Sequence, residues 1–351
     1  MKTRRPHMPA VLAAIVASAL AIAGCGGSGG SGTDGPSGAA EPVTIALDYA
    51  PNANYLGIYV ALAKGYFADE KIRPKILPYA NTPAETLIKA GKADLGISYP
   101  PDVVINRSQG LKYKAVAALV AGNTTELVVM ASSPYRRPAQ LSGKLYGGFG
   151  IQSDKALITE IMKRDGAADP KFRQVVLNTA ALEALKSGRI DYTAIFAGID
   201  DVQAAKMGIR LRGFPYRRYL GEAGNYPNAV FVASDETIAG RREAMKRTLA
   251  ALARGYEYAA KNPDEAAAIL IDANRAPLGR DRAITIATSR AAARQFLDPQ
   301  TGTWGPLADA DFSGLGAILE QGGVVKGTPP PPSELYTDSL LVLRGSTGRV
   351  L

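Results

Sequence analysis

One passage is written twice in this chain. KAGKADLGISYPPD (89–102) and KSGRIDYTAIFAGID (186–200) share a small basic run, an aspartate, a short apolar stretch closed by an aromatic, and a helical-looking continuation. Each then reaches a glycine and a large apolar residue, Gly110 with Leu111 and Gly208 with Ile209. A repeated supersecondary passage restricts the chain to folds with two similar halves. Around the first copy, strand-length apolar stretches (43–49, 73–79, 95–99, 114–120) alternate with helical ones (57–67, from 84, 102–109). Around the second, 144–150, 172–177, 191–196 and 209–214 alternate with 154–164, 180–187 and 200–206. Thr82-Pro83-Ala84-Glu85 carries helix-start chemistry: a hydroxyl cap, proline in the first turn, and glutamate three residues after the cap. Apolar strands separated by helices predict mainly parallel sheets covered on both faces, hence two doubly wound α/β lobes.

The ends of the second set, 126–132 and 228–234, read as strands crossing between the lobes and forming the hinge. Met245, Leu249, Leu252 and Tyr256 recur at helical spacing, the mark of a face packed on a core. Asn262 as a cap with Pro263 at the first position opens the next helix, and 280–296 and 308–320 supply two more. Lobe one is thus expected from 42–125 completed by helices of 234–326, and lobe two from 126–233. The proline-rich 327–351 reads as a loosely held tail.

The first residues stand apart from the fold. Lys2, Arg4 and Arg5 precede an uninterrupted small and apolar run over 10–23, and IAGC ends at Cys25. That run is too short for a permanent membrane span and fits a secretory leader, 1–24. Small residues before the chain's only cysteine predict lipidation at Cys25, which leaves no thiol for an internal disulfide. Residues 25–41, rich in Gly and Ser, read as a flexible tether. The net charge of +9 comes without a Lys/Arg block, which describes a solvated surface rather than a nucleic-acid interface.

Ligands of open parallel sheets sit beyond the carboxyl ends of the strands. Two lobes placed face to face bring those ends to one cleft, with Tyr99 and Phe196 at equivalent positions on opposite walls. Tyr49 and Phe149, after the first strand of each lobe, make a second pair. Four rings on two walls suit a flat conjugated ligand; the same rings also suit a core. Asn52, Asn54, Tyr55, Ser98, Asp102, Asp154 and Tyr226 are candidate polar partners for ring nitrogens and an exocyclic amine. Asn54 and Asp154 equally suit helix caps. Gly147, Gly148 and Gly150 would leave backbone amides uncovered. Arg217 and Arg218, beside Tyr219, read as surface residues, with anion binding as the alternative.

LDYAPNANYLGIYVALAKGYF, KAGKADLGISY, KLYGGFG, GRIDYTAIFAGID and ARGYEYAAKNPDEAA together resemble solute-binding lipoproteins of ABC importers. The branch they look like binds thiamin pyrimidine precursors and is related to sulfonate, nitrate and taurine binders; the similarity runs over 43–325. The resemblance implies a type II periplasmic-binding-protein fold, a lipid-anchored monomer outside the cell membrane without a cofactor, and partners in a permease and an ATPase. By the same resemblance Tyr49 stands where a stacking Trp is usual, Tyr55 where His is frequent, Phe149 where Trp is common, and Ala197 where a larger or acidic residue is found. A flavin or a sulfonate-type anion is the alternative ligand. Eukaryotic relatives instead make the pyrimidine from their own histidine and a vitamin B6 cofactor; here the one histidine, His7, lies in the leader.

Overall fold

The computed structural model describes residues 39–80, 82–177 and 180–342. The expected leader, Cys25 and the tether up to residue 38 lie outside them, as does the end of the tail. Among the described residues the strands are β1 (Glu41–Ala46), β2 (Ile72–Leu77), β3 (Leu95–Ser98), β4 (Tyr113–Ala118), β5 (Thr125–Met130), β6 (Leu145–Gly148), β7 (Arg173–Val176), β8 (Tyr192–Phe196), β9 (Leu211–Pro215) and β10 (Val230–Ser234). They form two five-stranded sheets, ordered β2-β1-β3-β10-β4 and β7-β6-β8-β5-β9. The two orders are one pattern used twice, with a strand exchanged at the fourth position.

Within each sheet the first three strands run parallel, and the exchanged strand is antiparallel to both neighbours. The reason is connectivity. Strands of each half end at the gap between the sheets, so a strand arriving across that gap begins there and runs the opposite way. The sheets are therefore mixed rather than parallel throughout. The two crossings lie side by side: the Leu119 N–H donates to the Ala229 carbonyl at 2.9 Å, and the Asn228 side-chain amide to the Thr124 hydroxyl at 2.7 Å.

The repeated aspartate explains the repeated passage. Asp94 Oδ2 accepts from the Thr44 N–H at 2.8 Å, and Asp191 Oδ2 from the Leu145 N–H at 2.8 Å. Each aspartate returns its own N–H to the same residue's carbonyl at 2.9 Å. One residue type thus stitches the third strand to the first in both halves.

Two apolar clusters matter for the gap. In the first, the helix Leu56–Ala63 lies against the helix Arg242–Lys261, whose Met245, Leu249, Leu252 and Tyr256 are all buried. A Cβ at Gly255 would lie 2.1 Å from the Gly57 carbonyl oxygen, so only glycine permits that approach. Trp304 stacks on Tyr256 at 4.9 Å. The second cluster joins both halves through Val103, Val104, Ile158, Ile161, Leu315 and Ile318.

Three local expectations are corrected. The helix Ala84–Lys89 is preceded by Pro83 without a side-chain cap, and the Glu85 carboxylate accepts from the Ser98 hydroxyl instead of reaching back. The Asn262 side chain bonds the Tyr258 carbonyl instead of capping, although Pro263 does open its helix. The tail is held as far as residue 342: Leu335 and Leu340 are buried, Thr337 N–H donates to the Ala115 carbonyl at 2.9 Å, and Lys114 Nζ to the Ser333 carbonyl at 2.7 Å. The prolines end regular packing, and the two leucines still anchor the chain beyond them. No described helix is long and apolar enough to cross a membrane.

Candidate functional site

Strand ends build the site. β3 gives way directly to the helix Pro100–Ser108, so Tyr99 stays extended (φ −129°, ψ 145°) and its ring is directed into the gap. β8 ends on Phe196, and Gly198, at φ +87°, turns the chain into the helix Asp200–Lys206. Tyr99 and Phe196 then stack across the gap, 6.2 Å between centroids and 19° between planes. A flat ligand between two rings needs about 7 Å at ordinary van der Waals contact, so the walls part by roughly 1 Å to admit one there. Tyr49 meets Phe149 edge to face at 5.9 Å and Tyr79 at 6.0 Å.

Strand register corrects one pairing. Ile45 is level with Leu95, and Tyr146 with Tyr192. Counting outward, Tyr99 and Phe196 are true counterparts, whereas the counterpart of Phe149 is Asp48 rather than Tyr49. Asp48 was passed over in the sequence because it reads as a polar end to a strand. Its carboxylate accepts from the Tyr55 hydroxyl at 2.8 Å and the Tyr99 hydroxyl at 2.7 Å. Burial still pushes it above the ordinary carboxylate range, against the pull of those two bonds.

Four more carboxyl groups face the same region. Burial, with the charges of Glu85 and Asp154, pushes Asp102 up to about 8. Burial pushes Asp154 up to about 7 against a 3.1 Å bond from the Tyr146 hydroxyl. Burial also takes Asp200 to about 6, although it accepts the Phe196 N–H at 2.8 Å. Glu85 is raised by burial too, against the Ser98 hydroxyl. Burial is the leading cause in all five; the added charges are those of Glu85 and Asp154 on Asp102, Asp48 on Glu85 and Asp201 on Asp200, and none of the five carboxylates joins an ion pair among the described residues. At neutral pH such a cleft offers both kinds of partner: Asp102, largely protonated, can donate a hydrogen bond, and the ionised members accept N–H donors and resist anions.

The remaining candidates fall into place around this set. Tyr55 is 1% exposed and belongs to the core beneath β1, reaching the site only through its hydroxyl. Asn54 is not a cap; Asn52 Oδ1 accepts its N–H at 2.9 Å, and the Asn54 carbonyl accepts from the Tyr256 hydroxyl at 3.0 Å. Asp154 is not a cap either, sitting inside the helix Gln152–Arg164. Ser98 is buried, as is Tyr226, whose hydroxyl feels Asp102 and Asp154. Phe149 is 44% exposed at the mouth. Gly147 and Gly148 are packed over: a Cβ on Gly148 would meet the Tyr146 ring at 2.5 Å, and one on Gly147 the Leu177 side chain at 2.6 Å. Packing, not an open amide cradle, requires glycine there. Arg217 and Arg218 are exposed. Sequence reasoning missed Asp48, Tyr79, Glu85 and Asp200 as site residues; the aspartate closing the second repeat was the available signal. Among the described residues no group of three or more His, Cys, Asp and Glu is arranged to hold a metal ion.

The family profile described as NMT1/THI5 like matches residues 52–266. The chain belongs to the NMT1/THI5-like family. Among similar proteins, the formylaminopyrimidine-binding protein of Halalkalibacterium halodurans is 28% identical over 249 residues, 66% of this chain and 71% of that one. A 4-amino-5-hydroxymethyl-2-methylpyrimidine phosphate synthase of Candida albicans is 24% identical over 64% of this chain and 69% of its own length. Proteins similar to this chain thus include binding proteins and enzymes. Among solved structures, the periplasmic aliphatic sulphonate binding protein of Escherichia coli superposes with a TM-score of 0.64 at 14% identity, covering 86% of this chain and 99% of that one. This member of the NMT1/THI5-like family therefore has the periplasmic-binding-protein fold, as the resemblance implied.

Proposed function

We propose that this protein is the extracytoplasmic solute-binding component of an ABC importer, lipid-anchored through Cys25, without enzymatic activity. In this reading it captures a small heteroaromatic ligand, of the thiamin pyrimidine precursor kind, between its lobes and delivers it to a membrane permease. One observation carries it: Tyr99 and Phe196, counterparts in the duplicated fold, stack across the gap between the sheets. A flat ligand that touches rings from both halves adds to their own 6.2 Å approach, and that added contact is how differential affinity drives lobe movement. The carboxylates around them favour an aminopyrimidine over a sulfonate or nitrate. A synthase that consumes its own histidine finds none among the described residues, since the chain's single histidine is His7.

The test is calorimetric titration of the purified protein with 4-amino-5-hydroxymethyl-2-methylpyrimidine, a flavin, taurine and nitrate. Tight binding confined to the pyrimidine supports the reading. Preference for taurine or nitrate overturns it.

A further inference from the structure

The Asp48 carboxylate is already spoken for on both oxygens. Oδ1 takes the hydroxyl of Tyr55, and Oδ2 takes that of Tyr99. Tyr55 is clamped in the core, and the short helix turn Ala53–Tyr55 that carries it is fixed by the Asn52 cap. Tyr99, by contrast, is half-buried and presents its ring to Phe196. A rigid phenol, a carboxylate and a mobile-side phenol are thus linked in series, from the core to the wall of the gap. Charge-assisted bonds of this kind are short and directional, so they define where the last ring of the series lies.

We infer that Tyr55 and Asp48 are positioning residues that set the plane of the Tyr99 ring, and with it which flat ligands the cleft accepts. This rests on the binding role proposed above. The two phenols use one acceptor site on each Asp48 oxygen, which is enough to fix the ring. A phenylalanine at 55 would keep the core filled while releasing one oxygen of Asp48, which makes Tyr55→Phe the informative substitution.

The first measurement needs no ligand. With tyrosine labelled at the ring carbon bearing the hydroxyl, the Tyr99 resonance, assigned through Tyr99→Phe, reports the protonation of Asp48. Glu85 and Tyr256 also face Asp48, and Asp102 acts on Tyr99 itself, so the same titration is repeated in Glu85→Gln and in Asp102→Asn to separate the two carboxyl contributions. Tyr55→Phe removes a donor that favours the ionised carboxylate, and the Asp48 step in the Tyr99 signal is expected to move to higher pH. The second measurement is the affinity for 4-amino-5-hydroxymethyl-2-methylpyrimidine. Tyr55→Phe is expected to weaken it about tenfold, Asp48→Asn by a similar factor, and Tyr55→Phe to add nothing further in a Tyr99→Ala background. A Tyr99 signal indifferent to Tyr55→Phe overturns the inference, as does an equal loss with and without the Tyr99 ring. Because the ring measurement is made without ligand, it decides the positioning role even if the unsubstituted protein binds no pyrimidine, a result that overturns the transport reading alone.

Discussion

The two walls of the gap share a backbone plan and little else. Both sheets use the same strand order, and Asp94 and Asp191 make the same pair of backbone bonds at 2.8 and 2.9 Å. At the strand ends the likeness stops. Wall one closes on Asp48, gripped by two phenols, with Tyr99 as its ring. Wall two closes on Phe149, exposed at the mouth, and on Phe196, which has no hydroxyl to be gripped. Duplication preserved what the sheet needs and left the edge free to diverge. The lesson is that internal repeats locate a cleft, while the departures between copies locate its chemistry.

The sharpest way to break this contrast is to delete one ring from each wall. Tyr99→Ala removes a half-buried ring, its stack on Phe196 and a donor to Asp48, and is expected to cost about a hundredfold in pyrimidine affinity. Phe149→Ala, at an exposed mouth position, is expected to cost about threefold. Calorimetry on both variants decides it; equal losses would mean that the walls contribute alike. A second pair tests the shared half of the comparison. Asp94→Ala and Asp191→Ala each strip acceptors from a strand N–H and are expected to lower stability by about 2 kcal/mol in urea unfolding. Asp94 should be the more sensitive, since Arg241 also loses one of its two carboxylate partners there and keeps only Glu41, whereas Asp191 gives up only a 3.2 Å bond from Tyr135.

Much of the architecture was legible because it rests on local periodicity. The alternation of strands and helices, the strand pair crossing the gap and the buried stripe of Met245, Leu249, Leu252 and Tyr256 all follow from apolar spacing. The leader and Cys25 lie outside the described residues. Capping was misread at Thr82 and Asn262 because competing partners, Ser98 with Glu85 and the Tyr258 carbonyl, are visible only in three dimensions. Gly147 and Gly148 invited an amide cradle, yet their neighbours Leu177 and Tyr146 come from the fold, not from adjacent sequence alone. Asp48, Glu85 and Asp200 were invisible as a group because nothing in their spacing announces that three chain segments converge. Tertiary convergence is the step that pattern reading lacks.

The smallest expected effect separates the walls by pH. Asp102 on wall one is raised to about 8, Asp154 and Asp200 on wall two to about 7 and about 6. A raised carboxyl holds its proton in the folded protein after the unfolded chain has released it. Its contribution to stability is therefore complete below the ordinary value of 3.8, declines as pH rises through the folded value, and is constant above it. The melting temperature of the ligand-free protein should fall between pH 5 and pH 8 on this account. Asp102→Asn removes the group that titrates last and should flatten the whole decline from about pH 4 to pH 8, by about 2 °C at pH 8, and it alone of the three acts between pH 7 and pH 8. Asp200→Asn should act on the lower part alone. If Asp200→Asn also flattens the interval between pH 7 and pH 8, the two walls titrate as one coupled cluster and the electrostatic half of the contrast fails, leaving only the difference between a gripped ring and a free one.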